Sequence, residues 1–180
     1  MPTAKELQEQ GVSLFQQHDY EAAARVFQEA RDAYTNGGQD DMAAEMKVNV
    51  GLVHSALNEY QQALELMQEA LRTFQEQGDK SRTAQVLGNL GGVYIGLNDK
   101  EQALNHYRQA ADVFMELDDE ERYSETLMAI GQMQIRDWKF FEGAAYYQLA
   151  MEKKQNLTGT QKIIKRLSNL IASLSGARIG

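Results

Sequence analysis

Acid–base or metal chemistry in this sequence would have to draw on its three histidines, His18, His54 and His106. No two of them stand at a metal-ligand spacing. The chain has no cysteine, which removes thiolate nucleophiles, disulfides and sulfur-ligated metals together. No Ser, His and Asp grouping stands out, and the glycines of NLGGVYIGL sit in a helical pattern, not in a loop that could cradle phosphate. No enzyme, cofactor or metal is expected. The chemistry that recurs is that of the amide. Asn49 and Asn89 hold the same place in NVGLVHSALNEYQQALELMQEA (residues 49–70) and NLGGVYIGLNDKEQALNHYRQA (residues 89–110), two stretches identical at nine positions. A carboxamide both donates and accepts, so it can pair with the N–H and C=O of an extended peptide without demanding a particular side chain.

The elements that position those amides follow from the offset of forty. Gly11, Gly51, Gly91 and Gly131 fall in register, as do Ala23, Ala63, Ala103 and Gly143, then Phe27, Met67, Tyr107 and Tyr147, then Ala30, Ala70, Ala110 and Ala150. Apolar steps of three and four make each half of a copy a helix. The polar pairs HD, NE, ND and DW separate two helices within a copy, and Gly37-Gly38, Gly78-Asp79 and Asp118-Asp119 separate one copy from the next. Thr3 with Glu6 forms a capping box for the first helix. Four helical hairpins are predicted, about 3–38, 39–78, 79–118 and 119–158. Glycine inside a helix costs about 1 kcal/mol against alanine, so a glycine column opposite an alanine column implies that the paired axes approach closely there.

These columns resemble the signature of the tetratricopeptide repeat family over nearly the whole chain. The forty-residue length is similar to the longer repeats of Pins/LGN-type and kinesin-light-chain-type proteins. The resemblance implies an all-α fold, a right-handed superhelical array of four hairpins, followed by a capping helix. That last segment, 159–180, contains TQKIIKRLSNLIASL, whose Ile163, Ile164, Leu167, Leu170, Ile171 and Leu174 make an apolar stripe expected to pack on the array. Lys47 in an apolar column, His54 and Gln134 in another, and Gly143 for alanine depart from the pattern and suggest looser packing in the second and fourth hairpins.

The resemblance also implies a concave groove lined by first helices, and a protein–protein interaction scaffold or adaptor that binds a short peptide segment or helix there. Its columns include Lys5, Gln8, Glu9 and Val12 of the first hairpin. Further along, Asn49 and Asn89 would grip peptide backbone beside Val48, Leu52, Ile95 and Met128, with Gln132 and Arg136 in the fourth hairpin. Gly88, Gly92 and Gly96 form a smooth ridge on which a partner backbone could lie close. Only Lys5 and Arg136 are basic groove positions, too few and too far apart for a clamp on a C-terminal carboxylate. Trp138 and Phe141 replace polar counterparts; they form either a second interface or a patch that the capping helix covers, and coverage is the expectation.

Charge narrows the partner. Residues 153–180 carry six basic groups and no acid, while residues 1–152 carry 12 basic and 26 acidic groups. Such a body repels a phosphate backbone, so nucleic acid is excluded and a basic or neutral protein segment is expected, with affinity on the order of micromolar. No signal peptide or membrane span is evident, which suggests a cytoplasmic protein, and membrane contact is not expected. The second reading is a self-associating structural protein, a homo-oligomer built through Trp138 and Phe141 or through the basic C-terminal helix, with a membrane surface as its anchor.

Overall fold

The computed structural model describes residues 2–153 and 159–175; among the described residues every regular element is an α-helix. In chain order these are α1 (Ala4–Gln16), α2 (Tyr20–Asn36), α3 (Asp40–Ala56), α4 (Tyr60–Glu76), α5 (Lys80–Gly96), α6 (Lys100–Glu116), α7 (Glu120–Arg136), α8 (Phe140–Lys153) and α9 (Gly159–Ser175). Part of the expected C-terminal segment, including Arg178, lies outside the described residues, as do the side chains of Ile164, Ile171 and Leu174.

The turns repeat at twice the frequency of the sequence. His18, Gly38, Asn58, Gly78, Asn98, Asp118 and Trp138 stand twenty residues apart, each with φ between 54° and 70°. After each of them the next N–H donates to the carbonyl five residues back, from Asp19 to Leu14 at 3.0 Å through to Lys139 to Gln134 at 2.9 Å. This is the left-handed stop that ends a helix by satisfying its last carbonyls. Turns within and between hairpins are therefore one geometry. Several of the helices start on capping side chains: Thr3 and Glu6 close their box, and Asp19, Asp79 and Asp119 accept from the backbone N–H of Ala22, Arg82 and Arg122, whereas α3 and α4 start without one.

The chain divides into two compact units between Ala103 and Leu104. In the first, Leu7, Phe27, Tyr34, Met46, Val50 and Val53 form a core across α1, α2 and α3. Met67, Phe74, Val86, Leu90 and Val93 form another across α3, α4 and α5. A methyl on Gly11 would stand 2.6 Å from the Phe27 ring, and one on Gly51 would stand 3.0 Å from Met67 Cγ. The glycine column is thus the space that the second helix's large side chain occupies.

In the second unit Ala111, Leu127, Ile130 and Ala150 make the core. At Gly143 the departure from pattern marks a close approach and not a gap. A methyl on Gly143 would stand 2.8 Å from the Gly131 carbonyl oxygen and 2.5 Å from Ile135 Cγ1, so losing the alanine lets α7 and α8 close further. In the first unit, Lys47 binds Glu69 at 2.8 Å and His54 binds Glu59 at 2.6 Å, so these polar departures have partners. The capping helix also differs from expectation. Lys165 reaches the Met151 carbonyl at 3.3 Å and Ser168 is buried, whereas Ile163, Leu167 and Leu170 are exposed. Among the described side chains of α9, Lys165 and Ser168 meet the body, and Ile163, Leu167 and Leu170 of the apolar stripe stand in solvent.

Candidate functional site: the face of α1, α3 and α5

A hydrogen-bonded chain ties these three helices to each other. The Tyr34 hydroxyl donates to Gln8 Oε1 at 2.6 Å, and Gln8 Nε2 donates to Glu45 Oε1 at 3.1 Å. Glu45 lies 3.8 Å from the Arg82 guanidinium, which also donates two 3.2 Å bonds to Asp41 and one of 2.6 Å to Asp79. The same guanidinium stands 4.7 Å from the centre of the Phe74 ring. The Arg82 backbone N–H and guanidinium together hold the Asp79 carboxyl below the ordinary aspartate value. Burial, with the nearby Glu45 and Glu9 carboxylates, pushes the Tyr34 hydroxyl upward. The acids on this face are held in place by their own fold, with geometry that charge-assisted bonds make stiff.

The asparagines are treated differently. Asn49 lies one turn after Glu45 and Asn89 one turn after Gln85, both half-buried. Asn89 makes no side-chain hydrogen bond among the described residues. Asn49 has only a 4.0 Å approach of Nδ2 to Met46 Sδ. Leu52 and Ile95 are half-buried beside them, and a methyl on Gly88 would meet nothing within 4 Å. Two other expected groove residues are used by the fold instead. Val48 is buried in the α3–α5 core. A methyl on Gly96 would run into the Tyr60 ring at 2.2 Å, so that glycine admits an aromatic of the neighbouring helix. Gly92 is exposed, and the open part of the glycine ridge is Gly88 and Gly92.

The tetratricopeptide repeat profile matches residues 4–76 and 41–116. The chain belongs to the tetratricopeptide repeat family. No curated protein matches it. Among solved structures, BtubC (BKLC) from P. vanneervenii aligns with TM-score 0.76 and 16% identity, over 98% of this chain and 82% of that one. The MamA RS-1 ArsTM double mutant aligns with TM-score 0.61 and 21% identity, over 83% and 74% respectively. At such identities the likeness shows the fold alone. Family membership makes the chain a protein–protein interaction scaffold in general terms, on a fold that is generally not catalytic.

Within this tetratricopeptide repeat array the second unit holds the other expected residues. On α7, Met128 is half-buried against the core, and Gln132 and Arg136 are exposed. Trp138 is 81% exposed and Phe141 52%, so the capping helix does not cover them; the Trp138 and Phe140 rings meet edge to face at 5.7 Å. Trp138 also carries the left-handed backbone of the turn. A bulky residue rarely adopts that conformation. Among the described residues no group of His, Cys, Asp and Glu is arranged to hold a metal, and no helix is long and apolar enough to cross a membrane.

Two features escaped sequence reasoning. The Arg82 network was missed because its members lie in different columns, although Asp79 and Arg82 at a spacing of three carried a signal. The twenty-residue turn was missed because His18 and Trp138 interrupt a series of Gly, Asn and Asp, residues that otherwise announce a left-handed φ.

Proposed function

We propose that the face of α3 and α5 binds a short basic or neutral peptide segment by its backbone, gripped between Asn49 and Asn89. The observation that carries this reading is the pair of half-buried carboxamides left without a firm partner on a face where Gln8, Glu45 and Arg82 are all engaged. A ligand that displaces water from such an amide and offers no replacement costs about 1–3 kcal/mol per group. A peptide backbone offers an N–H and a C=O at every residue, and so meets both amides whatever its side chains. Leu52 and Ile95 supply apolar contact, and Gly88 and Gly92 let the ligand chain lie close to α5. Residues 1–103 hold 8 basic and 16 acidic groups, which favours a ligand of the opposite sign or none.

The reading is tested by selecting a random dodecapeptide library displayed on phage against the full chain and against Asn49→Ala/Asn89→Ala. Sequences enriched by the wild type and lost by the double variant, at equal melting temperature, are the expected outcome. Equal enrichment by both proteins would sink the asparagine grip and move the search to α7 and the exposed aromatics.

A further inference from the structure

α9 exposes what a capping helix ordinarily hides. Ile163, Leu167 and Leu170, spaced i, i+4 and i+7, are 59%, 54% and 56% exposed. They make a ridge along one side of the helix. Lys162 and Arg166, also exposed, lie along its edge, and the α9 sequence contains no acid. An amphipathic helix with such anchors is the kind of ligand that lies in a groove on a protein.

The first unit has a receptor of matching character. A cavity of about 420 Å³ opens between α1 and the start of α3, with Val12, Met42 and Tyr34 supplying apolar surface and Lys5, Gln8 and Glu9 around them. Val12 is 41% exposed. Tyr34 and Gln8 are already bonded to each other, so the polar atoms nearest the apolar surface make no demand on an occupant. The unit around it carries a net charge of −8, against a C-terminal stretch, residues 153–180, of +6.

We propose that α9 of one copy docks by its Ile163, Leu167 and Leu170 ridge into this cavity of a second copy, with Lys162 and Arg166 facing the acidic surroundings of Glu9. The occupant is a second copy and not an anionic bilayer, because the chain as a whole carries −8 and the surface that attracts α9 would repel the rest. The two patches differ, so the contact is heterologous and leaves each end of a pair free to add another copy. The proposal uses the cavity at α1 and not Asn49 or Asn89, so Asn49→Ala/Asn89→Ala is expected to assemble as the wild type does.

The test is sedimentation velocity of the full chain over a range of concentrations. The expected result is a mass that rises with concentration and falls back in about 0.5 M salt. Leu167→Glu/Leu170→Glu and Val12→Glu/Met42→Glu should each weaken association at least about tenfold. Mixed together, they should form a pair and no larger species, because one intact ridge still meets one intact cavity. Should the Met42 change unfold the protein in circular dichroism, Val12→Lys alone serves, since that side chain is well exposed. A wild type that stays monomeric at every concentration overturns the proposal. So does association that survives the cavity variants and is lost only in the ridge variant, the behaviour of α9 pairing with α9. A chain that remains monomeric and pellets with phosphatidylserine vesicles through the ridge overturns it in favour of a membrane surface.

Discussion

Arg82 and Arg122 occupy the same place in successive first helices, three residues after a capping aspartate, and each donates its backbone N–H to that aspartate. Their guanidiniums differ. Arg82 reaches Asp41, Glu45 and Asp79 and lies over Phe74, whereas Arg122 bonds Asp119 at 2.6 Å. One repeat earlier than Arg122, the positions corresponding to Asp41 and Glu45 are Ser81 and Gln85, neither of which is an acid. A repeat copies its local instructions faithfully, because a cap needs only neighbours in sequence. Its longer-range bonds need partners outside the cap, which Arg82 has in Asp41 and Glu45.

The largest effect expected from this difference is on stability. Arg82→Ala removes the guanidinium bonds to Asp41 and Asp79 and should cost about 2 kcal/mol, while Arg122→Ala should cost under about 1 kcal/mol, both read by urea denaturation. Acid should sharpen the contrast. The folded pKa of Asp79 lies below the ordinary value of 3.8, chiefly through the Arg82 N–H, so its contribution is present above that value and is lost as pH falls through the lower folded one. Arg82→Ala keeps that N–H and loses only the guanidinium's share, so melting from about pH 5 to about pH 3 should erode the wild type slightly more than the variant.

Gly143→Ala restores the residue that the first unit has at Ala63, yet it should destabilise by about 1–3 kcal/mol, since the Gly131 carbonyl occupies the space a methyl needs. A stabilisation near the 1 kcal/mol of helix propensity would show that α7 and α8 separate cheaply. Ser124 stands where the first unit has Ala44 and Ala84, and its buried Oγ has no hydrogen-bond partner among the described residues. Ser124→Ala should raise stability by about 1 kcal/mol, seen as a higher melting temperature. The smallest change is expected of Trp138→Asn, which relieves a left-handed tryptophan at a position held by Asn58 and Asn98. A gain of under about 1 kcal/mol is expected, because the lost side chain is mostly in solvent.

The hairpins were legible because helix periodicity and the glycine, alanine and aromatic columns are properties of one chain segment at a time. Gly11 facing Phe27 follows from two such columns. The exposure of Ile163, Leu167 and Leu170 was not legible: apolar residues announce a stripe, but which of them meet solvent depends on how the helix is rotated, and Lys165 and Ser168 are seated on the body. The burial of Val48 was not legible for a related reason, since a groove column and a core column differ by a fraction of a helical turn. Asn49 and Asn89 stand out in the sequence by their repetition, while the engagement of the polar residues around them emerged only from the packed helices.

The most direct measurement is calorimetric titration of one phage-selected dodecapeptide into the wild type, Asn49→Ala, Asn89→Ala and the double variant, all with matched melting temperatures. Each single change should weaken binding about 5- to 10-fold, and the double change by roughly the product. A double variant that binds as tightly as the wild type would contradict the account.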